Sequence, residues 1–238
     1  MSRYVFYLLL ILLALPLYAG AGQPDAFPAV ASSLANYYPQ IKYQQINETP
    51  VAGVYEIVLE NSEIIYFVPA SGHMFFGELW NAKAENLTRE SKDRLLSDKV
   101  GLFPLDEAIK IGNGPIQVIE VTDPDCPFCR QGSAFFAGRS DVTRYVFLYP
   151  LEQLHPHAAA KAAYILSSDD PQAAYEEVFS GMFDSEPLPE FKDNGRLAAQ
   201  RSIVDRIGIN GTPRYWINGQ HVAGFNPQKF EELLSKNR

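Results

Sequence analysis

The chain has 238 residues, with 20 basic against 28 acidic side chains, a formal charge of −8 and only two cysteines. Such an acidic balance offers no electrostatic grip on nucleic acid or on an anionic lipid surface, both of which need clustered cations. Two cysteines are also too few to staple a scaffold of this size, so the fold must rest on buried apolar cores.

Arg3 supplies a short positive start, Tyr4 to Leu17 is an apolar run, and Ala19-Gly20-Ala21 is an Ala-x-Ala cleavage pattern. Residues 1–21 therefore read as a secretory signal peptide, with Gly22 as the first mature residue and an oxidising compartment as destination. The rival reading is an uncleaved anchor, but the run falls short of the ~20 apolar residues a spanning helix needs. What remains exceeds one typical core of ~100–150 residues, so two domains are expected.

Residues 22–84 are dense in aromatics, including Tyr37, Tyr38, Tyr43, Tyr55, Tyr66, Phe67, Phe75, Phe76 and Trp80. Pro28 to Tyr38 suits one helix, stopped by Pro39. Three strand-like runs follow, Gly53–Leu59, Glu63–Val68 and His73–Trp80, joined by Glu60-Asn61-Ser62 and Pro69-Ala70-Ser71-Gly72. A β-meander with one helix in about 60 residues is marginal alone and leaves strand edges open. Pairing across a two-fold axis would address both problems, and a monomeric core filled by the same aromatics is the other reading.

Residues 85–114 change character. Glu85 to Lys99 is highly charged, with Thr88 as a candidate N-cap and Leu95 and Leu96 as its main apolar contacts, which predicts an exposed linker helix. Gly101 to Gly114, carrying Pro104 and Gly112-Asn113-Gly114, reads as a joint. From Pro115 the pattern becomes α/β: a buried strand over Ile116–Thr122, a helix after Cys129, and a second strand over Val142–Tyr149. Helical stretches at His157–Leu166, Gln172–Phe183 and Arg196–Ile207 come next. A hairpin of Arg214–Ile217 and Gln220–Gly224 turns at Asn218-Gly219, a strong type I′ signal, and Phe230–Lys236 closes the chain as a helix. The expected fold class is α+β: a small N-terminal meander and helix, a linker helix, and a catalytic domain over 115–238.

The two cysteines stand in Thr122-Asp-Pro-Asp-Cys-Pro-Phe-Cys129, at a strand-to-helix junction. A Cys-x-x-Cys bridge closes too small a loop to be a useful staple, so the pair points to thiol–disulfide chemistry. A helix N-terminus stabilises a thiolate through unpaired N–H groups and the macrodipole, and Pro127 suits the first turn. Cys126 is thus the expected attacking thiolate, and Cys129, one turn deeper, the resolving thiol. The zinc alternative lacks a second ligand pair, since His73, His155, His157 and His221 show no matching spacing. No cofactor beyond the Cys126–Cys129 redox pair is needed.

Glu120, in the strand leading to the site, has two readings. It accepts the Cys129 proton through water, or it faces a polar gap or a lysine. Thr212-Pro213, before a strand, offers backbone groups to an extended substrate, and its isomer is left open by the residues alone.

These residues, with Leu154-His155-Pro156 before an alanine-rich helix and Gly211-Thr212-Pro213 before a hairpin, make the chain resemble the periplasmic DsbC/DsbG-type disulfide isomerases. The resemblance implies a thioredoxin fold with a helical insertion at about 151–205, and a cis Pro213 with Thr212 beside the dithiol. With Pro127 and Phe128, these would form the client-contacting edge. It further implies a homodimer joined through residues 22–84, an apolar cleft for misfolded exported proteins with disulfides, and reduction by a membrane-embedded DsbD-type reductase. In two respects the chain departs from that pattern: it lacks a second, structural cysteine pair, and Glu120 is more like the buried acid of thioredoxin and the DsbA oxidases. Disulfide isomerisation with chaperone-like client binding is the leading expectation. A dithiol oxidase or dedicated reductase on the same site, or mainly a holdase chaperone, are the alternatives.

Overall fold

The computed structural model describes residues 26–236, so the predicted signal peptide lies outside the described residues. Among the described residues no helix is long and apolar enough to cross a membrane. The N-terminal part is one helix, α1 (Pro28–Tyr37), and a four-stranded antiparallel sheet of β1 (Tyr43–Glu48), β2 (Tyr55–Leu59), β3 (Ile64–Val68) and β4 (His73–Phe76), in that order. Period-two alternation sends Ile57, Ile65 and Phe67 to one face, where Val30 and Leu34 of α1 cover them. Val58, Ile64 and Tyr66 point to the other face and meet Leu79 and Leu95. Strand β1 was not anticipated, because only Ile46 of its six residues is buried and the rest carries no apolar pattern.

The linker helix forms as α2 (Leu87–Ser97), with two differences from expectation. Its N-cap is Asn86, whose Oδ1 accepts from the Arg89 N–H at 2.9 Å. Thr88 is buried instead, its hydroxyl 2.5 Å from the Tyr66 hydroxyl and accepting from the Leu79 N–H at 2.7 Å. The helix is also far from free, since it lies along the outer side of the catalytic domain's last strand, β9 (Gln220–Ala223). The Arg89 guanidinium donates to the Ala223 carbonyl and the His221 N–H donates to the Ser97 hydroxyl. The Trp216 indole donates to the Leu96 carbonyl. Lys99 then reaches both ways, donating to the Ser62 hydroxyl and to the Ile207 carbonyl.

The catalytic domain is a five-stranded sheet in the order β5-β7-β6-β8-β9, built from β5 (Ile109–Ile111), β6 (Ile116–Thr122), β7 (Val142–Leu148), β8 (Arg214–Ile217) and β9. Strands β6 and β7 run parallel and the other pairs antiparallel. Strand β5 falls inside the stretch read as a joint: three residues between Pro104 and Gly112 carry too little pattern to stand out, yet they pair with Val146, Tyr145 and Arg144. Helices α3 (Pro127–Phe136) and α7 (Pro227–Ser235) cover one part of the sheet, around Phe136, Tyr215 and Phe230. The insertion between β7 and β8 carries α4 (Ala158–Ser167), α5 (Pro171–Phe179), a 3-10 turn at Met182–Asp184 and α6 (Arg196–Ile207). It covers the remainder through Ala162, Ile165, Tyr175, Val178, Ile203 and Val204. Asn218 and Gly219 both have positive φ, 52° and 79°, as the type I′ turn between β8 and β9 requires.

Candidate active site

Central strand β6 delivers its C-terminal end to the start of α3, and the turn between them holds the two thiols. Cys126 is the N-cap of α3 and Pro127 occupies its first turn, where a missing N–H leaves nothing unpaired. Both cysteines are free thiols. Their surroundings differ: Cys126 keeps 6 % exposure at the surface end of the helix, while Cys129 is fully buried among Leu148, Ala162 and Tyr175. The Asp123 N–H points at the Cys129 sulfur from 3.4 Å.

That asymmetry separates the two acidities. A hydrogen bond from the Cys129 thiol, with the backbone N–H groups of Cys129 and Phe128, outweighs burial and lowers the Cys126 pKa to about 6. Burial, reinforced by the neighbouring Cys126 sulfur, holds Cys129 well above the ordinary thiol range. Phe128, between them, projects into solvent at 59 % exposure.

Across from the dithiol, Thr212-Pro213 is a cis peptide bond, and the Thr212 carbonyl lies 4.0 Å from the Cys126 sulfur. The Thr122 and Thr212 hydroxyls, both buried beside the thiols, have no hydrogen-bond partner among the described residues. The residues expected to meet at one place, Cys126, Cys129, Pro127, Phe128, Thr212 and Pro213, do so.

Glu120 is paired, and its partner is an arginine rather than a lysine. It is fully buried, accepts from Arg144 Nη1 at 3.2 Å and from the Tyr175 hydroxyl at 3.2 Å, and sits opposite Tyr215 in the β6–β8 register. Burial raises its pKa, against the pull of the Arg144 guanidinium. Arg144 also stacks over the Phe136 and Tyr175 rings, at 5.8 and 5.3 Å from their centroids.

Two further groups of residues brace the site. The buried Asp123 carboxylate accepts from the Asp125 N–H at 2.8 Å, the Leu151 N–H at 2.7 Å and His155 Nδ1 at 2.9 Å. Asp125 and Asp184 share Arg130 and Lys161, with Lys161 Nζ 2.6 Å from each carboxylate. Neither group was foreseen, although a lysine inside the run Ala158-Ala-Ala-Lys161-Ala-Ala was a visible sign of a buried partner. Among the described residues, no three His, Cys, Asp or Glu side chains come together to hold a metal ion.

Comparison with known proteins assigns both halves of the chain. Residues 20–89 match the disulfide bond isomerase protein N-terminal domain, and residues 103–238 match the thioredoxin-like domain. A probable thiol:disulfide interchange protein DsbC of Bordetella avium is 26 % identical over 205 residues, covering 84 % of this chain and 72 % of the relative. The thiol:disulfide interchange protein DsbG of Pseudomonas aeruginosa is 24 % identical over 191 residues, or 71 % of this chain and 73 % of the relative. Among solved structures, a disulfide interchange protein from Neisseria gonorrhoeae is 36 % identical, with a TM-score of 0.49, and covers 57 % of this chain and 98 % of that one. The chain belongs to the thioredoxin-like family, within its DsbC/DsbG-type thiol:disulfide interchange proteins.

Proposed function

We propose that this protein is a periplasmic disulfide isomerase in which Cys126 is the nucleophile. The observation that carries the reading is the inequality of the two thiols: Cys126, at the helix start and 6 % exposed, has its pKa drawn below neutral, while fully buried Cys129 is held protonated. The Cys126 thiolate attacks one sulfur of a wrong client disulfide, forming a mixed disulfide and expelling the other client sulfur as a thiolate. A second client thiolate then attacks the client sulfur of the mixed disulfide, closing a new client disulfide and returning Cys126 as thiolate. No net electrons move. When no client thiol is in reach, the Cys129 thiol loses its proton and attacks Cys126, which releases a reduced client and leaves the Cys126–Cys129 disulfide. A DsbD-type reductase in the membrane would return that disulfide to the dithiol.

Client binding falls to the groups around Cys126. The Thr212 backbone, next to the sulfur, suits an extended client segment laid antiparallel to it, and exposed Phe128 offers apolar contact. Among the described residues strand β4 pairs only with β3, and it carries exposed Phe75 and Phe76, the latter 76 % exposed, with Trp80 and Val51 also exposed. An open edge flanked by large apolar side chains fits pairing with a second copy of the chain.

The test is recovery of a scrambled multi-disulfide client by the wild type, Cys126→Ser and Cys129→Ser in a glutathione buffer. Cys126→Ser should lose isomerase activity, and Cys129→Ser should retain part of it while accumulating mixed disulfides. Full activity in Cys126→Ser would overturn the mechanism. Sedimentation of wild type against Phe76→Glu tests the pairing of copies: a dimer that dissociates supports it, and a monomeric wild type removes it.

A further inference from the structure

The helical insertion reaches the dithiol through charge. Asp125, the residue before Cys126, and Arg130, in the second turn of α3, belong to the active-site segment. Lys161 comes from α4 and Asp184 from the turn after α5, so both belong to the insertion. Arg130 donates to the Pro124 carbonyl at 2.7 Å, to Asp125 at 3.1 Å and to both Asp184 oxygens at 2.5 and 2.8 Å. Lys161 is 5 % exposed and bridges the two carboxylates. Two cations and two carboxylates make a balanced cluster, fixed by six charge-assisted contacts, one residue from the reacting sulfur.

We propose that Lys161 and Asp184 are positioning residues by which the insertion sets the charge beside Cys126, and so the ease with which the dithiol gives up its electrons. The proposal rests on Cys126 being the attacking thiol. An uncompensated Asp125 carboxylate would oppose a thiolate next to it, and Lys161 cancels that opposition; Asp184 in turn keeps Lys161 and Arg130 from leaving a surplus positive charge. The cations hold the Asp184 carboxyl well below the usual carboxylate range. Burial alone would lower the Lys161 pKa, but Asp125 and Asp184 outweigh it and raise it. Asp184, Lys161 and Arg130 are thereby held in their charged forms. The other groups facing Cys126 are the Cys129 thiol, the Thr212 carbonyl, and Asp123 with its partner His155.

Removing either insertion residue unbalances the cluster by one charge, in opposite senses. One such charge, near the sulfur and partly screened, moves the thiolate midpoint by about half a pH unit. Asp184→Asn leaves a positive surplus, so the Cys126 midpoint should fall. The dithiol's equilibrium constant with glutathione should then shift about threefold toward the reduced form, or about 14 mV at 29.6 mV per tenfold. Lys161→Met should move both quantities the other way by a similar amount, and Lys161→Arg should restore them. The reaction is reduced protein plus glutathione disulfide giving oxidised protein and two glutathiones.

The assay combines that equilibrium with the pH dependence of alkylation in the full chain, the labelled cysteine being mapped by mass spectrometry. Opposite shifts in Asp184→Asn and Lys161→Met, with recovery in Lys161→Arg, support the inference, because mere loosening of the fold would move both variants the same way. Shifts of one sign, or none, with the label on Cys126, overturn it alone. Preferential labelling of Cys129 in the wild type overturns the reading of the site and this inference with it.

Discussion

Gly132→Ala tests how tightly the active-site helix is pressed onto the sheet. In the interior of a helix this substitution ordinarily stabilises by about 0.5–1 kcal/mol, because alanine is the better helix former. Here an added Cβ would stand 1.8 Å from the Tyr215 hydroxyl and 2.9 Å from the ring carbon that bears it. The ring is fully buried and wedged between Phe136 and Phe230, at centroid distances of 5.8 and 4.7 Å, so it has nowhere to swing. Overpacking of this kind costs about 1–3 kcal/mol, and a contact this close falls in the upper half of that range, so after the helix gain a net loss of about 1–2.5 kcal/mol remains. The Tyr215 hydroxyl has no hydrogen-bond partner among the described residues, so Tyr215→Phe should be close to neutral, and it should rescue part of the Gly132→Ala loss. Urea unfolding of the four proteins, analysed as a double-mutant cycle, measures the coupling. A Gly132→Ala protein as stable as the wild type would refute the reasoning.

Two more outcomes follow from buried charge. Glu120→Leu leaves the Arg144 guanidinium buried and unpaired, at a loss of about 3–5 kcal/mol by urea unfolding, whereas Glu120→Leu/Arg144→Leu should recover most of it. A loss below about 1 kcal/mol in the single variant would mean that the pair does not hold this part of the core. His221 is buried between Asp93 and Trp216 with Nε2 unpartnered among the described residues, and burial lowers its pKa, against the pull of Asp93. The unfolded chain therefore binds a proton on this imidazole more readily than the native state, so stability should decline as the pH falls below about 6.5. Melting curves between pH 7.5 and 5 should show a shallower decline in His221→Gln, and an unchanged slope would exclude His221 as the source.

What was legible in the residues was local. The thiol pair with Pro127 inside a helix start, the Asn218-Gly219 turn and the Thr212-Pro213 step each act within a few positions, so their chemistry is written in neighbouring letters. Strands β1 and β5 escaped for the opposite reason. Gln44, Gln45, Asn47 and Glu48 are tolerated in β1 because it is an edge, and Ile109–Ile111 is a strand only because β7 lies beside it. The aromatics of the N-terminal part illustrate both readings at once: Tyr66 and Phe67 fill the core, while Phe75, Phe76 and Trp80 stay outside it. Of the ion cluster, only the lysine within the alanine run gave a sign, and its partners were hidden. The cluster's pairs lie 36 and 54 residues apart in the chain, and no single-sequence pattern joins Asp125 to Lys161 or Arg130 to Asp184.

The docking of α2 along β9 has a consequence for the border of the sheet. The last strand of a sheet presents N–H and C=O groups that a stray extended segment can copy onto. Here the outward groups of His221 and Ala223 are already engaged by Ser97 and Arg89. An extended segment thus finds this border occupied and cannot grow the sheet from it. The linker helix acts as a guard rail, keeping this edge from becoming a template for aggregation.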